Sequence, residues 1–273
     1  MRSLIIILLI VTTNIVKAQP PVRISADDFL KTIATHPEVM GISASSEVAL
    51  VQSRARKEHV TLTPMEESML ELERQLFTNE FKGGALRCFQ ACWMLEQQIA
   101  EAKHYQNDVL SLKINRGDLL LKQEVLSRES KLQLFELENQ YKAKVNELNA
   151  LVGNEYGDQP VLPQGWVWSF NDDTAAAMSQ ETLYWNPAQQ IVDDVKTLSE
   201  RFAQVNAIIA LQEKYISKIG KEEPVATLNE LSKLSAFKTQ RWEIFGQIAD
   251  KKAELYKSSV TYPLTSFSVT GLN

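Results

Sequence analysis

The apolar and polar positions of this chain alternate with helical spacing over four long stretches. Between 118 and 152, Leu134, Leu137, Tyr141, Val145, Leu148 and Val152 step by three or four. This is a stripe on one helix face, close to a heptad seam. Between 188 and 219 the stripe is Ile191, Val195, Leu198, Phe202, Val205, Ile209 and Leu211. Between 225 and 262 it is Leu228, Leu231, Leu234, Phe237, Trp242, Ile244 and Ile248. Between 85 and 116 the apolar positions Trp93, Leu95, Ile99, Val109, Leu110 and Leu112 are looser, and a polar run at 101–107 reads as exposed. Glu, Lys, Gln, Leu and Ala, all good helix formers, fill the other faces.

The breakers delimit these stretches. Gly84, Gly117, Gly153, Pro187, Gly220, Pro224 and Pro263 bound them, and only Gly246 interrupts one from within. Each stretch exceeds the mean globular helix of about 11–12 residues. The first pair is joined by Asn115-Arg116-Gly117-Asp118 and the second by residues 218–224. Short links between long helices give antiparallel neighbours. The predicted fold is therefore mainly all-α, with two long antiparallel helical hairpins.

Ahead of the first hairpin, Ser25-Ala26-Asp27-Asp28 offers a cap for a short helix at 29–33. His36-Pro37-Glu38 restarts a helix that runs to Arg56, and after Pro64 another of about 18 residues runs to Lys82. Two regions read as non-helical. One is 153–175, with a brief alternation at Trp166–Phe170, and the other is 260–273. Each suits one short strand, and together they do not make a sheet.

The first eighteen residues have the layout of a secretory signal peptide. Arg2 supplies the charge, Leu4 to Val11 the apolar run, and Val16-Lys17-Ala18 the cleavage site. The run is far short of the ~20 residues that span a bilayer. Export is the expected outcome.

Composition adds exclusions. The chain has 273 residues, 44% hydrophobic and 23% charged, with 10 Gly and 9 Pro. That is soluble composition, without the signature of collagen or low-complexity disorder. Net charge is −5, from 29 basic and 34 acidic residues, which argues against a nucleic-acid partner. Cys88 and Cys92 are the two cysteines. Their i, i+4 spacing puts them on one helix face, and helix geometry strains a bridge between them. They read as small core residues under Trp93, with an intermolecular or strained bridge and a metal site as the alternatives.

The halves of the chain repeat. Ala34-Thr35-His36-Pro37 opens one and Tyr184-Trp185-Asn186-Pro187 the other. Each continues through an amphipathic helix to a tip with one Gly and a descending helix with a late Glu-Leu, at 147–148 and 254–255. The order, with Leu112 to Gly117 followed by Leu119-Leu120-Leu121, Tyr215 to Gly220 followed by Leu228 and Leu231, and the closing run 146–153, resembles the TolC-like outer-membrane efflux protein family over about residues 25–260. The units expected from this are a signal peptide at 1–18, a first helical repeat at 19–153, a linker at 154–182, a second repeat at 183–262 and a tail at 263–273.

The resemblance implies transport across the cell envelope, a homotrimer, and docking of the hairpin tips on a periplasmic adaptor and inner-membrane pump. Lys113, Asn115, Arg116, Gly117, Lys218, Gly220 and Lys221 are then the partner-binding tip residues. It also implies a β-hairpin in each half. The sequence offers no four alternating segments of the ~9–11 residues that barrel strands need. The other reading is a periplasmic scaffold coiled coil with no channel activity.

No catalytic chemistry is evident. The pairs Asp27-Asp28, Asp172-Asp173, Asp193-Asp194 and Glu222-Glu223 are adjacent on the chain, so their carboxylates diverge. There is no phosphate loop, HExxH, GxSxG or CxxC, and His36, His59 and His104 are scattered. No enzyme activity, cofactor or metal is expected. Arg116-Gly117-Asp118 spells an adhesion tripeptide, but three-residue matches arise often by chance, and a tight turn with Gly117 in a left-handed conformation explains it fully.

Overall fold

A computed structural model describes residues 20–41, 64–153, 159–165, 187–219 and 223–258. The helix expected from His36-Pro37-Glu38 to Arg56 is helical over 37–41, with the Met40 N–H donating to the His36 carbonyl at 3.0 Å, and its remainder lies outside the described residues, as do the signal-peptide segment, the Trp166–Phe170 alternation, Gly220, Lys221 and the 260–273 tail.

Five helices carry labels here: α1 (Ala26–Ala34), α2 (Pro64–Ser111), α3 (Gly117–Val152), α4 (Pro187–Ile219) and α5 (Pro224–Ser258). The fold is mainly all-α, as the spacing predicts. At the start of α1, Ser25 is extended and its Oγ accepts the Asp28 N–H at 3.1 Å. The same hydroxyl donates to Asp28 Oδ2 at 2.7 Å. This reciprocal cap satisfies one of the helix's orphan donors. One face of α1 then buries Ala26, Phe29, Thr32 and Ile33.

The first long helix corrects the expected boundary. A helix ending at Lys82 and a second beginning after Gly84 are in fact one helix of 48 residues. Glycine costs about 1 kcal/mol relative to alanine inside a helix, and it removes no backbone hydrogen bond. Immediately beyond the pair, Ala85, Leu86, Cys88, Phe89 and Cys92 are all buried. Burial of that face outweighs two weak formers, so the ladder runs through.

The hairpins are antiparallel. Within the first, Cys88 Sγ reaches the Lys144 carbonyl and Lys103 pairs with Glu138. Within the second, Lys251 pairs with Asp194 and Lys238 with Glu213. Between them, α2 packs against α5: Arg87 meets Asp250, and Glu101 meets Arg241. The packing order is thus α3–α2–α5–α4, with α2 and α5 central and α3 and α4 at the sides.

Most of the expected stripe residues face the interior. Leu228, Leu231, Ile244 and Ile248 of α5 and Ile191, Val205 and Ile209 of α4 are buried. Leu211 is not. It lies two residues after Ile209, which turns it about 200° around the helix, and it is 67% exposed. Leu110 likewise points outward. The polar run at 101–107 is not uniformly exposed either: Ala102 is buried and Glu101 is half-buried in its ion pair.

One sheet was not foreseen. Strand β1 (Val22–Ile24) pairs in parallel with β2 (Val161–Pro163), in the register Val22↔Val161 and Ile24↔Pro163. Asn149, near the end of α3, holds β2 in place. Its Oδ1 accepts the Val161 N–H at 2.7 Å and its Nδ2 donates to the Val145 carbonyl at 2.6 Å. Gly153 then ends α3 with φ +61°, a conformation that favours glycine. Around this end lies the main core, with Phe29 against Phe89 (ring centroids 5.0 Å apart), Leu148, Val152 and Val161.

Cys88 and Cys92 are buried and free in that core. The hydrogen bond between them, followed by burial, pushes the Cys92 thiol far above its ordinary range. A thiol so held stays protonated and is a poor nucleophile.

Candidate functional site

The sequence points to the hairpin ends, and these are built from both halves. After Ser111 the chain leaves the helix through 112–116, and its side chains divide between core and solvent. Leu112 and Ile114 turn inward and are buried, while Lys113, Asn115 and Arg116 turn outward and are exposed. The end of α2 is closed by a side chain from α3. Gln123 Nε2 donates to the Val109 carbonyl at 2.7 Å and the Leu112 carbonyl at 3.1 Å. Val109 is in the last turn of α2, where carbonyls have no partner inside the helix, and Leu112 lies just past its end.

Arg116 is extended (φ −105°, ψ 131°) and precedes the first turn of α3. Its carbonyl accepts the Leu120 N–H at 3.0 Å. Its Nη2 pairs with Asp118 at 2.9 Å, both side chains remaining largely exposed. Asp118 lies in the first turn of α3, where the helix dipole favours a negative charge. Gly117 is the first helical residue, and its φ is not positive. The expected left-handed turn is therefore corrected. The non-helical 112–116 segment reverses the chain without needing one.

The second hairpin meets the first here. Leu228 and Leu231 of α5 join Val109, Leu112, Ile114 and Leu119 in one buried cluster, with Ile216 of α4 half-buried against it. Lys122 Nζ donates to Asn229 Oδ1 at 2.5 Å. Thr227 Oγ1 donates to the Glu223 carbonyl at 3.0 Å, tightening the start of α5. A cleft of about 690 Å³ opens between the ends, bordered by Lys113, Asn115 and Arg116 on one side and Glu223, Pro224 and Val225 on the other.

Of the seven tip residues, the structure brings together Lys113, Asn115, Arg116 and Gly117. Lys218 is exposed at the end of α4, and Gly220 and Lys221 lie outside the described residues. Sequence reading missed the opposite wall of the cleft, Pro224 and Val225, because nothing local shows that the two hairpin ends adjoin. It also missed Gln123, whose capping role depends on a carbonyl eleven residues earlier.

The cleft offers charge and shape but no nucleophile paired with a base. Among the described residues no group of three or more His, Cys, Asp or Glu side chains is arranged to hold a metal. Among them, too, no helix is long and apolar enough to cross a membrane. Comparison with protein-family models, with curated proteins and with solved structures finds no match to this chain.

Proposed function

We propose that this chain is an exported helical protein of TolC-like type that takes part in transport across the cell envelope by docking through its hairpin ends. The observation that supports the reading is the adjacency of the two ends. They share one buried cluster and present Lys113, Asn115, Arg116 and Lys218 outward from the same end of the molecule. A periplasmic adaptor with an acidic surface fits such an end, and complementary charge raises the rate of encounter.

Co-purification from crosslinked cell envelopes tests the proposal. The chain is expected to bring down an adaptor and an inner-membrane pump. Lys113→Glu with Arg116→Glu is expected to lose both at unchanged helical content, since both side chains are exposed. Recovery of the chain solely in the soluble fraction, as a monomer without envelope partners, contradicts transport and favours the scaffold reading.

A further inference from the structure

The hairpin ends differ in charge from the rest of the chain. Residues 110–122 and 214–225 together hold six basic and three acidic residues, a net charge of +3. The whole chain carries −5, so the remainder carries −8. Lys113, Arg116, Lys122, Lys214 and Lys218 are all exposed. Two acids face them among the described residues. Asp118 pairs with Arg116 at 2.9 Å while both side chains stay largely in solvent, and Glu223 borders the cleft beside Lys113 and Arg116.

Apolar side chains stand exposed among these cations. Leu110 lies in the last turn of α2, Leu120 and Leu121 at the start of α3, and Val225 in the first turn of α5. They are 54%, 47%, 66% and 40% exposed. Leu110 and Leu120 border a second cleft, of about 550 Å³, together with Lys113. Val225 borders the first cleft, again with Lys113. The apolar groups are therefore spread over two clefts with a cation between them, and do not gather into one groove. A folded protein surface must match such an outline, whereas a lipid surface conforms to it. Apolar side chains that enter the interface, flanked by Lys and Arg that reach lipid phosphates, make the pattern of interfacial binding.

We propose that the hairpin ends rest on the surface of a bilayer containing anionic phospholipid, with the helices standing end-on. The charge distribution sets the orientation. An anionic surface attracts the +3 ends and repels the −8 remainder. Helix α3 has 36 residues, a length of about 54 Å. End-on, most of that length stands beyond the ~10 Å over which the surface field is screened at 0.1 M salt. Lying flat brings the acidic remainder within it. This contact goes beyond adaptor docking and does not depend on it, since it needs no second protein.

Cosedimentation of the purified full-length chain with vesicles tests the proposal. Binding to equimolar phosphatidylcholine and phosphatidylglycerol is expected to be at least tenfold tighter than to phosphatidylcholine alone, and to weaken as salt is raised. Lys113→Glu with Arg116→Glu is expected to lower it at least tenfold, and Leu120→Ser with Leu121→Ser at least threefold, both at unchanged helical content. Lys31→Glu, exposed on α1 at the opposite end of the molecule, is expected to leave it unchanged. Equal binding to the two vesicle types, no binding to either, survival of binding in either tip variant, or its loss in Lys31→Glu would overturn the proposal. The vesicles contain no protein, so such a failure leaves adaptor docking standing, and failure to recover an adaptor leaves vesicle binding standing.

Discussion

Glu101 is where the two hairpins are tied by charge. Its carboxylate accepts from the Arg241 guanidinium and, at 2.8 Å, from Trp242 Nε1. The guanidinium also lies over the Trp242 ring, 4.9 Å from its centroid. Glu101→Ala leaves a cation and an indole N–H without their acceptor. An orphaned buried donor costs about 1–3 kcal/mol, and breaking a fully buried ion pair about 3–5 kcal/mol. Here the side chains are 18% and 28% exposed, so water recovers part of that cost. The expected loss is about 2–3 kcal/mol. With a urea slope of about 2–3 kcal/mol/M, the unfolding midpoint falls by about 1 M at constant slope. Glu101→Gln keeps an acceptor and is expected to lose about half as much. A double-mutant cycle with Arg241→Met isolates the pair. A Glu101→Ala loss under about 0.5 kcal/mol, or an additive cycle, would refute the claim that this contact joins the hairpins.

Three further outcomes are expected. Gly84 is exposed, with no atom within 4 Å of an added Cβ and no positive φ, so Gly84→Ala is expected to stabilise by about 0.5–1 kcal/mol in thermal or urea unfolding; destabilisation would mean that α2 is broken there. Asn149→Ala strips the Val161 N–H of its acceptor and is expected to cost about 1–2 kcal/mol, with faster hydrogen exchange at 161. The third concerns acid. The hydrogen bond from Ser25, then Lys31, holds the Asp28 carboxyl below its ordinary value, and Lys233, then Gln212, does the same for Glu230. Groups with depressed folded values stabilise above their unfolded values, near 3.8 and 4.5, and lose that effect as pH falls through the folded ones. The thermal midpoint is therefore expected to drop more steeply below about pH 4 in the wild type than in Asp28→Asn with Glu230→Gln.

Much of this architecture is legible in the pattern of positions. The Leu228–Ile248 stripe faces inward as its spacing requires, and Ser25 caps α1 as its residue type suggests. What escaped was decided by tertiary contact. Gly83 and Gly84 read as a break, because propensity is local, while the burial of Phe89 and Cys92 that overrides it is not. Glu101 read as solvated, because its partners lie about 140 residues away. The strand at Val22 is three residues long, too short for alternation to register, and its pairing depends on Asn149. At the site, outward Lys113 and Arg116 were legible from the chain reversal. The wall supplied by Pro224 and Val225 was not, since only the α2–α5 packing brings it there.

Docking through the hairpin ends is tested most directly by placing a photo-crosslinking residue at Asn115 in living cells, with Asn146 at the opposite end of α3 as the reference. Both positions are exposed. The expected result is an adduct between position 115 and another envelope protein, at least tenfold stronger than from 146. Equal adducts from both positions, or none from 115, would contradict the account.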